Sequence, residues 1–147
     1  TMARVQVVNP AELIDRNRPL IQSNWAETGF DFPFDPDVEA YGRLWDAGYA
    51  FAVAAFVGDE VVGYAVITVV PHPHNPAVIV AANDALFVAP AYRNGITSGR
   101  LILAAEAEAK RRGARKIVWH ARAGTPLATM LQTHGYTPID VCVGKDL

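Results

Sequence analysis

The sequence predicts an α/β fold of the α+β kind, a central, mostly antiparallel sheet flanked by about four helices. Three observations carry that expectation. Strand-like and helix-like stretches are mixed without strict βαβ alternation. The middle of the chain holds several apolar, β-branched runs in succession. Two amphipathic segments with start and stop residues follow them. At 147 residues, 51% apolar and 19% charged, the chain is expected to form a single domain over 1–147 with a buried core.

Residues 3–8 read as a first strand. "NPAELIDRNRPLIQSNWAETG" reads as a helical region that Asn9 caps and Pro10 opens, with Pro19 interrupting it. "FDFPFDPD" is loop chemistry, and its aromatics and prolines suit a pocket wall. "PDVEAYGRLWDAG" predicts a short helix closed by Gly48. "YAFAVAAFV" and "VVGYAVITVV" flank a Gly-Asp turn and predict a hairpin. "PHPHNP" is expected to break the pattern as a loop, after which "AVIVAA" resumes it and "NDALFVAP" forms another strand, stopped by Pro90. Thr97 or Ser98 is expected to cap a helix running to Lys110–Arg112 and ended by Gly113. "RKIVWHA" predicts a further strand. Thr125 and Pro126 start a short helix that Gly135 ends, and "YTPIDVCVGKDL" reads as a last extended region.

The formal charge is −2, which argues against broad electrostatic binding to nucleic acid. The charges are segregated, however. Eight of the thirteen Lys and Arg lie between Arg93 and Arg122, whereas Glu27 to Asp46 holds six acidic residues against Arg43. This distribution allows a basic side for an anionic cofactor and an acidic side for a cationic substrate. No apolar run is long enough to span a bilayer and the first residues lack a signal-peptide pattern, so a cytoplasmic protein is expected, with no membrane partner. Cys142, the single cysteine, is expected to be a small core residue. His72 and His74 could share a strand face, but with no third ligand indicated a loop is the expected setting and no metal is assigned.

The most informative stretch is "VAPAYRNGITSGRL", where an apolar strand gives way to a helix through small residues. Unpaired N–H groups at a helix start, reinforced by the helix dipole, make an anion site. Neither a P-loop nor the dinucleotide pattern G-x-G-x-x-G is present.

"LFVAPAYRNGITSGRLI" resembles the cofactor signature of the GNAT superfamily, the acetyl-CoA-dependent N-acyltransferases, and "GYTPIDVCVGKDL" resembles that family's Gly-Phe/Tyr pair and closing strand. The wording "WHARAGTPLATMLQTHGY" resembles a phage-type branch of the family. The resemblance implies a GNAT-like acyl-CoA N-acyltransferase fold with acetyl-CoA as cosubstrate. It implies that Leu86, Phe87 and Val88 meet the pantetheine arm, and that Arg93, Asn94, Gly95, Ile96, Thr97, Ser98 and Gly99 meet the pyrophosphate. The two small positions of the family pattern hold Ile96 and Ser98 here, and the position of the tyrosine that protonates the leaving thiolate holds Leu131.

Acetyl transfer to an amine needs a base for the nucleophile. The family commonly uses a carboxylate on the fourth strand, which implies Asp84. Strand alternation puts Asp84, Leu86 and Val88 on one face. His120, following Trp119 on the strand beside the cleft, is a second candidate because a histidine titrates near neutrality. The functional expectation is an N-acetyltransferase acting on a primary amine, either a small molecule or a peptide. The alternative is a GNAT-like acyl-CoA-binding or protein-interaction module without turnover, and a homodimer is among the expected states.

Overall fold

The computed structural model describes residues 3–93 and 95–147. Its strands are β1 (Arg4–Val8), β2 (Ala50–Val57), β3 (Glu60–His72), β4 (Asn75–Val88) and β5 (Ala114–Val118). They form one sheet in the order β1-β2-β3-β4-β5, antiparallel throughout except for the parallel pair β4-β5. The helices are α1 (Pro10–Arg16), α2 (Arg18–Thr28), α3 (Val38–Asp46), α4 (Thr97–Arg111) and α5 (Pro126–Thr133).

Period-2 alternation along β2 divides the core. Phe51, Val53 and Ala55 face α4 and meet Leu101, Ala105 and Ala109, while Ala52 and Ala54 face the other way with Leu13, Ile14 and Ile21 of α1 and α2. A sheet apolar on both faces must carry a helix layer on each, and it does. At the far end of α4, Glu108 binds Arg111 and Arg112, and the Arg112 guanidinium lies 4.9 Å from the Phe51 ring. The two arginines hold the Glu108 carboxyl down at about 2.

The expected helices and the central hairpin are present, with four differences. The α1–α2 break falls at Asn17, and Pro19 sits in the first turn of α2, where its missing N–H costs nothing. "PHPHNP" does not interrupt the sheet. β3 runs to His72 and β4 begins at Asn75, so the segment is the tip of a second hairpin and 75–88 is one strand rather than two. "RKIVWHA" is strand only to Val118. The expected closing strand is absent: residues 137–147 have no assigned secondary structure and are exposed, Cys142 among them. No helix of the described residues is long and apolar enough to cross a membrane.

Candidate active site

The site begins where β4 and β5 part. Their pairing covers Ile79 to Ala82 against Ala114 to Val118 and then stops, leaving residues 83–88 of β4 bound only to β3. Asn83 fixes the point of divergence. Its Nδ2 donates to the His120 carbonyl at 3.1 Å, and the His120 amide donates to its Oδ1 at 2.6 Å. The carboxamide thus mimics one more rung of backbone pairing and holds the strands apart by the length of a side chain. The sequence reading placed Asn83 at the start of a strand and gave it no role.

A second irregularity sets the chemistry of the mouth. Ile67 pairs with Asn83 and Val66 with Ala85, so Asp84 is the extra residue of a β-bulge. The bulge overturns the expectation that Asp84 shares a face with Leu86 and Val88. Those two pack toward α4, whereas Asp84 Oδ2 accepts a 2.7 Å hydrogen bond from the hydroxyl of Tyr41 on α3, on the face that holds Ala85 and Phe87. Burial, then the neighbouring carboxylate, raises the Tyr41 phenol well above its ordinary range, so it remains a donor. Asp84 itself is exposed. Beneath it, Tyr64 is fully buried and held by Asn24 at 2.8 Å, and burial pushes its phenol up to about 12.

Below the divergence, β4 ends in a 3-10 turn, Pro90–Tyr92, that leads to α4. Thr97 and Ser98 do not cap that helix. Thr97 is already its first residue with its side chain buried, and the cap position falls to Ile96, which offers no side-chain acceptor. Among the described residues, the amides of Gly95 to Gly99 donate to no hydrogen bond. This is the uncapped helix start that an anion can satisfy. Gly99 has no positive φ, and Ile96 sits at φ −92°, ψ 3° and is 61% exposed. The loop conformation therefore tolerates Ile96 and Ser98 at the small positions without strain. Gly99 serves another neighbour: a Cβ there would lie 3.4 Å from the His134 ring. Asn94 lies outside the described residues.

Arg93 is not directed at the helix start. Its Nη2 contacts both oxygens of Glu27 at 2.9 and 3.0 Å, its Nε donates to the Val88 carbonyl at 2.7 Å, and its guanidinium lies 5.2 Å from the Phe87 ring. It is a strut joining α2 to the end of β4, on the face opposite α4. Because the Ala89 amide donates to Val62 of β3, the Val88 carbonyl of the same peptide turns to the open edge, where Arg93 takes it. Phe87 and Val88 are buried and Leu86 half-buried, so only their backbone edge is available to a bound chain. Gly63, another residue the sequence reading missed, makes this corner possible: a Cβ there would lie 3.1 Å from the Phe87 carbonyl and 3.2 Å from Val88 Cγ2. His120 is exposed and lies two residues beyond β5, held through its backbone. Leu131 is buried.

The α2–α3 loop stands over the same mouth. Trp25 stacks on Phe30 at 5.2 Å, Phe32 is 5.1 Å from Phe30, and Arg122, just past β5, reaches within 5.9 Å of Phe30. Glu27, Asp31, Asp35 and Asp37 of the same segment are exposed. His72 and His74, by contrast, occupy the distant hairpin tip, and no group of three metal-ligand side chains occurs among the described residues.

Comparison with known proteins agrees with this architecture. Residues 18–136 match the model of the acetyltransferase (GNAT) family. Ribosomal-protein-alanine N-acetyltransferase from Brucella melitensis biovar Abortus 2308 is similar in structure with a TM-score of 0.74 at 19% identity, over 99% of both chains. An aminoglycoside acetyltransferase from an uncultured soil metagenomic sample gives a TM-score of 0.78 at 19% identity, over 100% of this chain and 99% of the other. The aminoglycoside N-acetyltransferase AAC(6')-Iy in complex with CoA gives 0.75 at 15% identity, over 100% and 97%. No curated protein matches the sequence. The comparisons lend nothing to the phage-type branch. With four-fifths of its length inside the family model and its sheet splayed above an uncapped helix, the chain belongs to the acetyltransferase (GNAT) family.

Proposed function

We propose that the protein is an N-acetyltransferase that takes acetyl-CoA in the opening between β4 and β5 and acetylates a primary amine. The observation that carries this reading is that β4, unpaired on its outer edge beyond Ala82, leads through the Pro90–Tyr92 turn to a helix start where the amides of residues 95–99 donate to no hydrogen bond among the described residues. The residues present fit an extended cofactor with an anionic middle. Backbone groups of residues 86–88 would pair with the pantetheine arm, and the amides of 95–99, with the α4 dipole, would hold the pyrophosphate. Arg93 supports that site by fixing Val88 and neutralising Glu27. When bound, acetyl-CoA supplies an activated acetyl thioester.

Asp84 is the base. It stands exposed at the bulge beside the divergence, and Tyr41 orients it while leaving its second oxygen free to accept a proton from the attacking amine. His120 flanks the opposite strand and can relay a proton through water. Exposed aromatics and carboxylates of the 27–37 segment would receive a cationic amine, by ion pairing and by contact with ring faces. Cytoplasmic location agrees with a reaction that uses acetyl-CoA. The second reading, an acyl-CoA-binding module without turnover, is favoured by buried Leu131 at the expected position of the acid. Turnover of acetyl-CoA with an amine panel separates the two. Release of CoA that depends on the amine and is lost in Asp84→Asn supports the enzyme. Binding without any turnover supports the module.

A further inference from the structure

Between α2 and α3 the chain gathers aromatic rings at its surface. Gly29, at φ 77°, ends α2 in the left-handed region and reverses the chain. The Phe30 amide then donates to Thr28 Oγ1 at 3.4 Å, and the Phe30 ring lies back on Trp25 with centroids 5.2 Å apart. Trp25 also meets Phe32 at 5.2 Å and Phe34 at 6.0 Å. Phe30 and Phe32 are each 56% exposed. Single exposed rings are ordinary, whereas connected ones make an apolar surface whose contact with water is unfavourable.

This ledge of rings leads back to the candidate base. From Asp84 the succession of contacts is Tyr41, the core cluster on which Tyr41 and Phe34 both pack, then Trp25, and finally Phe30 and Phe32. The carboxylates around it are mostly committed. Glu27 is paired with Arg93, Asp37 caps α3 by accepting from the Ala40 amide at 3.0 Å, and Asp84 holds Tyr41. Asp31 and Asp35 remain, both exposed, where water and salt weaken an ion pair. A cation already stands at the outer end. The Arg122 guanidinium lies 5.9 Å from the Phe30 ring, and its Nη1 is 3.4 Å from where a Cβ on Gly29 would be. Arg122 makes no ion pair among the described residues. A second positive charge on a bound ligand would therefore meet an unneutralised guanidinium at the rings.

We infer that the acceptor is a monoamine with a planar apolar body, an arylalkyl amine, and not a polyamine or other polycation. With the reacting nitrogen at Asp84, as in the acetyltransferase reading on which this inference rests, the body lies along Phe30 and Phe32 and is bordered by Arg122. An extended polycation would leave the rings uncovered and set its far charge beside Arg122. Phe30, Phe32 and Arg122 are thereby the residues that determine acceptor specificity.

The full chain with acetyl-CoA and phenethylamine, butylamine or spermidine provides the test. The kcat/KM for phenethylamine is expected to exceed that for each of the other two by on the order of 10-fold. Equal or better use of either one overturns the inference. Phe30→Ala is expected to bring the advantage of phenethylamine over butylamine below about 3-fold, and an advantage as large as the parent's overturns the role of the ring. Arg122→Glu is expected to raise kcat/KM for spermidine by about 3-fold without a gain for butylamine. No gain for spermidine overturns the part assigned to Arg122. Calorimetry separates the ledge from the reaction. Phenethylamine that binds the protein in the presence of CoA, and binds Phe30→Ala more weakly, while no amine is acetylated, supports the ledge and sinks the acetyltransferase reading. No binding of phenethylamine at millimolar concentration, with CoA or without, overturns the ledge whether or not another amine is acetylated.

Discussion

The β4 opening and the ledge of rings over its mouth adjoin one another and are built from different materials. The β4 opening is held by polar clips, Asn83 across to His120 and Arg93 to Glu27, and it ends on an uncapped helix start. The ledge is four aromatic rings in contact, with Arg122 at its outer end. The first suits an anionic ligand that brings its own hydrogen-bonding groups, and the second suits an apolar body that brings none. An unpaired edge does not by itself define a site. The groups that surround it decide what can complete it.

Asp84→Asn gives the largest expected effect. On the proposed role of Asp84 as proton acceptor, the acetylation rate is expected to fall by on the order of 100-fold while calorimetric affinity for acetyl-CoA stays the same. An undiminished rate across a pH series would remove Asp84 from the reaction. Glu108→Gln tests a place outside both regions. Its carboxyl, held near 2 against an ordinary 4.5, contributes stability that is fully present above pH 4.5 and lost as pH falls toward 2. Loss of its ion pairs is expected to cost roughly 2 kcal/mol at neutral pH, read as a lower melting temperature, with neither acetyl-CoA affinity nor the preference among amines altered. A change in either would show that the far end of α4 couples to that region.

Much of the fold was legible because its signals are local. The alternating runs of β2 and β3, the Gly-Asp turn, and Asn9 with Pro10 each act within a few residues. The misreadings came from non-local causes. The bulge that turns Asp84 away from Leu86 depends on how β4 pairs with β3. The clip at Asn83 depends on a backbone 37 residues away. "PHPHNP" carries loop chemistry, yet the strength of β3 and β4 on either side reduces it to a hairpin tip. The loop glycines suggested phosphate contact, but Gly99 is occupied by His134, and the glycine that shapes the corner is Gly63, inside a strand. Arg93 was found by its position in the motif, while its partner Glu27 lay in a segment read only as acidic.

Smaller effects sharpen the contrast further. Asn83→Ala removes both bonds of the clip and is expected to cost about 1 to 2 kcal/mol and to weaken acetyl-CoA binding. Equal cofactor affinity would mean that the strands diverge without it. Arg93→Glu is expected to reduce affinity, and the exchange Arg93→Glu with Glu27→Arg to restore most of it, because the pair acts as a strut. Failure of the exchange, with the fold intact, would place the Arg93 charge on the phosphate. Ile96→Gly is expected to change affinity less than about 3-fold, since φ and ψ there suit any residue. A large gain would show that the isoleucine obstructs the loop.

The central claim is that the β4 opening takes acetyl-CoA, and the most direct measurement is the melting temperature of the unaltered protein with acetyl-CoA, with free CoA and without ligand. A ligand bound only to the folded chain adds roughly 2.7 kcal/mol at 100 times its dissociation constant. A clear rise with both ligands, diminished in Asn83→Ala, is the predicted result. No rise with either at millimolar concentration would contradict the account.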